Sequence, residues 1–158
     1  MKVSIATGLA ALCATVSGGL LSGLYFSFDV SIRRSFATLP DGEYVRLFAD
    51  INQAILNPRF LMVFAAAPTA SVALAVLAPT RWTILAAAAS LTALGITMFG
   101  NVPLNNALEN AYRSDVAAAT IRANFESRWN ALNVARCLAQ TAAVAATVLF
   151  ALGTRDEG

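Results

Sequence analysis

The chain has no histidine among its 158 residues and only two cysteines. The first absence excludes His-rich zinc sites, haem on a histidine, the two-histidine-one-carboxylate iron triad and any Ser-His-Asp triad. Carboxylates alone remain for a metal, and no acidic pair has ligand spacing inside an apolar segment. Cys13 and Cys137 each sit in an apolar stretch, so they read as two buried thiols and not as part of a disulfide framework. Charge is scarce too. Only 13% of residues are charged against 58% hydrophobic, where a soluble domain carries about 25% charged residues. The formal net charge is +2 and the basic residues are dispersed. Nucleic acid is therefore not expected as a partner, because phosphate binding needs clustered Lys and Arg.

What is present is four long apolar runs. Val3 to Phe28 carries no charge and as a helix reaches ~39 Å, beyond the ~30 Å hydrocarbon core of a bilayer. It is longer than a signal-peptide h-region and lacks a clean cleavage site, so it reads as a retained span. Asn57-Pro58-Arg59 opens the second run, which carries Pro68 in its middle and closes at Pro79. Trp82 begins the third, and the short Pro79-Thr80-Arg81 link makes spans two and three an antiparallel hairpin. The fourth runs from Trp129 to Leu152 with one charge, Arg136, inside it. The expected fold is all-α: one integral membrane domain over residues 1–158, a four-helix bundle with spans near 3–28, 60–79, 82–104 and 129–152. Gly19 and Gly23 form a small-xxx-small pair, a place for another helix or a second copy to approach.

Two longer connections share one side of the membrane. The first holds an amphipathic helix near 41–56, with Tyr44, Leu47, Phe48, Ile51 and Ile55 on one face and Glu43, Arg46, Asp50 and Gln53 on the other. It is expected to lie on the membrane surface or to cap the bundle. The second, Glu109 to Arg128, reads as largely helical. Lys2, Arg81 and Arg155 fall on the side of the termini. Arg33, Arg34, Arg46, Arg59, Arg113, Arg122 and Arg128 fall on the other, which favours cytoplasmic long connections in a bacterial inner membrane.

Polar residues inside these spans are the informative feature. Trp129, Asn133, Arg136 and Gln140 follow i, i+4, i+7, i+11 and share a narrow sector of a helix. Asn101 and Asn105 flank Pro103, which frees a backbone carbonyl one turn earlier. Asn52 sits at the edge of the amphipathic helix's apolar face. Two readings stay open on these residues. In one, the carboxamides hold helices together and Arg136 snorkels toward the interface. In the other, they line a pocket for an oxygen-rich aromatic or other anionic ligand, whose oxyanion a desolvated guanidinium would stabilise.

Asn101-Val-Pro-Leu-Asn-Asn106, followed by Trp129-Asn130 and Asn133 to Arg136, resembles the anthrone oxygenase-like family of small membrane proteins. Gly23-Leu-Tyr-Phe-Ser-Phe28 and Asn52 with Asn57-Pro58 agree with it. The resemblance implies oxidation of an anthrone-like phenol to a quinone with O₂ as co-substrate and no metal or flavin cofactor. It implies deprotonation of a carbon acid and stabilisation of the resulting enolate. In that chemistry Arg136, Asn133 and Asn105 would stabilise charge. Trp129 would stack on the substrate, with Asn101, Asn52 and Gln140 lining the pocket. Without histidine the base falls to Asp29, Glu126 or water, with Asp50 disfavoured on its polar face. The alternative is a non-catalytic membrane protein whose Asn/Arg cluster stabilises the bundle or binds a lipophilic ligand or partner.

Overall fold

The computed structural model describes residues 4–153. Lys2, Val3 and the tail from Thr154 to Gly158 with Arg155, which entered the readings of span one and of orientation, lie outside the described residues. Among the described residues the chain forms five helices: α1 Ile5–Ala37, α2 Asp41–Ile55, α3 Pro58–Leu77, α4 Arg81–Arg113 and α5 Ala118–Gly153. The helices α1, α3, α4 and α5 are long and apolar enough to cross a bilayer. The chain is an all-α integral membrane protein.

Their ends follow local chemistry. Ser4 caps α1 by accepting from the Thr7 amide. Asn57 caps α3 through the Phe60 amide, with Pro58 at the first helical position, where its missing N–H costs nothing. Thr80 and Thr83 close a reciprocal capping box at the start of α4. The membrane helices run past the predicted ends: α1 reaches Ala37, and α4 and α5 consume most of the second connection. Only residues 114–117 are left as a turn. Asp115 takes a left-handed conformation there (φ 52°), one of the few residue types that tolerates it.

Round the bundle, α1 packs on α3, α3 on α4, α4 on α5 and α5 back on α1. The approach of α1 to α5 is set by Gly18. A methyl group there would stand 2.9 Å from Gln140 Nε2 and 2.9 Å from Val144 Cγ2. Gly19 and Gly23, singled out in the sequence, have nothing within 4 Å and face outward. Cys13 also faces outward, against the expectation of a buried thiol, while Cys137 is half-buried.

The helix α2 caps one end of the bundle. Its buried face is Tyr44, Val45, Phe48, Ala49 and Asn52, rotated by about one residue from the face predicted; Leu47, Ile51 and Ile55 are only half-buried. Phe48 meets Phe28, Phe125 and Trp129 at ring distances of 5.7, 4.6 and 4.9 Å. The rotation follows from this target: the aromatic ends of α1 and α5 lie against α2, and the helix turns its largest rings toward them.

Arg122 of α5 fastens the cap. Its guanidinium donates to Leu39 O at 2.8 Å, Asp41 Oδ1 at 3.0 Å, Ala37 O at 3.3 Å and both carboxylate oxygens of Glu126. Tyr44 covers its face, 4.5 Å from ring centre to Cζ. Arg122→Ala is expected to cost ~1–3 kcal/mol, because several charge-assisted and mostly part-buried bonds are lost together. Hydrogen exchange should show α2 amides losing protection while the spans keep theirs. Gly18→Val should lower the melting temperature in detergent through an overpacking penalty of ~1–3 kcal/mol, and Gly19→Val should leave it nearly unchanged.

Candidate polar site in the bundle

The interior stripe of α5 is Ile121, Phe125, Trp129, Asn133, Arg136, Gln140, Ala143 and Thr147. Each step is three or four residues, so one line of side chains faces the ring's centre for most of the helix. Trp129, Asn133, Arg136 and Gln140 are all buried.

Two π-helical turns flank this stripe, at Phe28–Ile32 in α1 and Thr97–Asn101 in α4. The second has a visible cause. Pro103 lies two residues past its end, and the proline ring would collide with the carbonyl four residues back in a regular α-helix; the wider turn relieves the clash. Gly100 within that turn lets Leu132 of α5 approach, since a methyl group there would stand 2.9 Å from Leu132 Cδ1. The first turn has no proline or glycine within it, and so gave no signal in the sequence.

Arg136 turns inward. Its Nε and Nη2 donate to Asn133 Oδ1 at 3.2 and 3.0 Å. Asn133 Nδ2 donates to Tyr25 O at 3.0 Å, in the helical turn before the first π-turn. The guanidinium carbon lies 4.3 Å from the Tyr25 ring centre and 5.1 Å from that of Trp129. A cation at this depth costs ~2.5–3.5 kcal/mol against lipid. One carboxamide acceptor and two aromatic faces offset part of that, each cation–π contact adding ~1–2 kcal/mol when desolvated. The charge is thus held inside the bundle, among two rings and one carboxamide.

Trp129 covers Arg136 on the cap side. Its Nε1 donates to Asn105 Oδ1 at 2.7 Å. Phe28 lies 4.5 Å from it and Phe125 6.0 Å, the latter nearly parallel. Asn101 is fully buried; its Nδ2 reaches Trp129 O at 3.4 Å, and its Oδ1 has no hydrogen-bond partner. Asn52 on the cap is also buried, with Nδ2 unpartnered. One unmet acceptor and one unmet donor therefore lie in the apolar interior, where each costs ~1–3 kcal/mol. Gln140, two turns from Asn133, accepts from Ser90 Oγ at 3.2 Å and ties α5 to α4.

The two carboxylates weighed as bases are both ion-paired. Asp29 lies in the first π-turn, 2.9 Å from Arg33. Glu126 is held by Arg122 at 2.8 Å. Asp50 is exposed beside Arg46 at 3.7 Å. Among the described residues no three Cys, Asp or Glu side chains gather as a metal group. A cavity of about 220 Å³ opens one turn from Trp129, lined by Leu104, Leu108, Ile121 and Phe125 among others. The Trp129 indole, packed on Phe125 and bonded to Asn105, stands between that lining and Arg136. Tyr25, Ser90 and Arg122 were not singled out from sequence; Tyr25 is findable as the residue three before Phe28, on the inward stripe of α1.

Asn133→Ala should destabilise the protein by ~2–4 kcal/mol, since it strips a buried guanidinium of its acceptor. The paired replacement Asn133→Leu with Arg136→Met should recover most of that loss, because both polar partners leave together. Unfolding titrations in mixed micelles measure both.

A sequence profile of the family described as Anthrone oxygenase matches residues 50–146, more than half of the chain. The match takes in Asn52, Asn101, Asn105, Trp129, Asn133 and Arg136 and leaves Tyr25 and Asp29 outside. No curated protein and no solved structure matches the chain.

Proposed function

The chain belongs to the anthrone oxygenase family, and from that membership we propose that it oxidises an anthrone-like phenolic substrate to a quinone with O₂, inside the membrane. The observation that carries this reading is the inward guanidinium of Arg136, held by Asn133 against the Trp129 ring, in a bundle that also buries unpartnered carboxamide atoms of Asn101 and Asn52. A desolvated cation with fixed polar neighbours is what a developing enolate needs.

The chemistry needs little from the protein. Loss of a proton from the CH₂ group between the two rings gives an electron-rich enolate. Reaction with O₂ and loss of water then convert that CH₂ to C=O, so one anthrone and one O₂ give one quinone and one water. In this reading Arg136 and Asn133 stabilise the enolate oxygen, with Asn105 assisting through Trp129. Asp29 is the favoured base. Its one ion pair uses a single oxygen and a half-exposed Arg33, whereas Glu126 is committed to the Arg122 clasp. The substrate enters by the 220 Å³ cavity beside Phe125, and the Trp129 indole yields its place and stacks on the planar ring system. Asn101, Asn52 and Gln140 line the seat. The reading has no metal or flavin cofactor and places the capped end on the cytoplasmic side of a bacterial inner membrane. Planar aromatic molecules and membrane lipid are the partners, and Gly19 and Gly23 offer a face to a second copy.

A non-catalytic reading has its own support. Asn133 joins Tyr25 O to the Arg136 guanidinium, so the cluster also staples α1 to α5. The two readings separate in one assay. Membranes carrying the protein, given emodin anthrone and air, should form quinone with matching O₂ uptake. Arg136→Ala should lower that rate ~10²–10³-fold, and Asp29→Asn by ~10²–10⁴-fold. Quinone formation at an undiminished rate in Arg136→Ala would leave only the staple.

A further inference from the structure

We propose that a groove between α1 and α5, at the capped end of the bundle, binds the phosphate of an anionic phospholipid. The groove has a volume of about 490 Å³ and is lined by Arg33, Arg34, Ala37, Arg122, Ala123, Glu126, Ser127 and Asn130. It lies just past the uncharged run of α1, where headgroups meet the protein.

The donors sort into spent and free. Arg122 makes five hydrogen bonds to Ala37, Leu39, Asp41 and Glu126, which is its full complement. It also neutralises Glu126, the groove's acidic lining residue, and so builds the wall without serving a ligand. Arg33 spends one nitrogen on Asp29. Arg34 has no ion pair among the described residues, and the side chains of Ser127 and Asn130 have no hydrogen-bond partner there. One free guanidinium, part of a second, a hydroxyl and a carboxamide therefore line the same groove. That donor set matches a phosphate monoanion or diester.

The surface below the groove selects a lipid over a soluble anion. On α1, Val30 and Phe26 are 40% and 58% exposed, and on α5 Leu138 is 66% exposed. Acyl chains lying on these side chains would carry their headgroup to the level of Arg34. Basic pockets between membrane helices on the cytoplasmic face are recurrent anionic-lipid sites.

The test is native mass spectrometry of the full chain in detergent, titrated with dioleoyl phosphatidylglycerol and, separately, dioleoyl phosphatidylcholine. The wild type should retain one phosphatidylglycerol in clear preference to phosphatidylcholine. Arg34→Gln should lower phosphatidylglycerol affinity about fivefold, as one surface arginine is worth, and Arg34→Glu further. Arg59→Gln, an exposed arginine at the start of α3 outside the groove, should change nothing. A melting-temperature series with inorganic phosphate distinguishes the source: stabilisation by phosphate alone equal to that by phosphatidylglycerol overturns the lipid assignment. Equal lipid retention in Arg34→Gln and wild type, or an equal loss in Arg59→Gln, overturns the site.

Discussion

A single cation inside an apolar bundle sets the conditions for the rest of the structure. Arg136 costs several kcal/mol at its depth unless the interior answers it, and the answer comes from three helices. Its own helix supplies Asn133 one turn back, because helical side chains lean toward the N-terminus. The helix α1 supplies the Tyr25 ring and the Tyr25 carbonyl. The indole of Trp129 lies over the same charge, and α4 holds that indole through Asn105. Each partner is therefore oriented by a hydrogen bond to some other helix, and the charge is the point at which α1, α4 and α5 are brought into one register.

The cap is the second level of the same design. Phe28, Phe48, Phe125 and Trp129 make one aromatic cluster, so the cation's roof is also the floor on which α2 sits. Arg122 then locks α2 from outside the cluster. The protein thus uses two arginines in opposite ways. One is starved of anions and surrounded by rings; the other is saturated with oxygen acceptors at the membrane edge.

The four spans and the α5 stripe were legible because each rests on a period that a sequence displays directly. Uncharged length announces a span, and Trp129, Asn133, Arg136 and Gln140 recur at helical spacing. The face of α2 was off by one residue, because amphipathicity marks a half-cylinder while the aromatic cluster selects a narrower sector of it. The small-xxx-small pair does not mark a contact inside the bundle, for a similar reason. Gly19 and Gly23 satisfy the motif, yet Gly18 is the glycine that α5 presses on, and only the packing partner distinguishes neighbours on a helix. Arg122 reads in sequence as one more interfacial cation; apart from Glu126 one turn on, its partners lie some eighty residues earlier in the chain. The turn at Thr97–Asn101 could be suspected from Pro103, whereas that at Phe28–Ile32 has no local signature.

The π-helical turns have a consequence for how this chain tolerates change in length. Such a turn accommodates one residue more than an α-helical path of the same rise, so every side chain beyond it is shifted in phase by roughly 100°. Removing any one residue from 97–101 would take out the residue that the wide turn absorbs, so the span and the azimuth of the distal half would survive: Asn105 would stay at the indole it holds and Leu108 at the cap. The cost would be local, because the clash of the Pro103 ring with the preceding turn would return. The same deletion outside the turn has no such slack and would rotate everything beyond it by roughly 100°, and the hydrophobic profile would register neither.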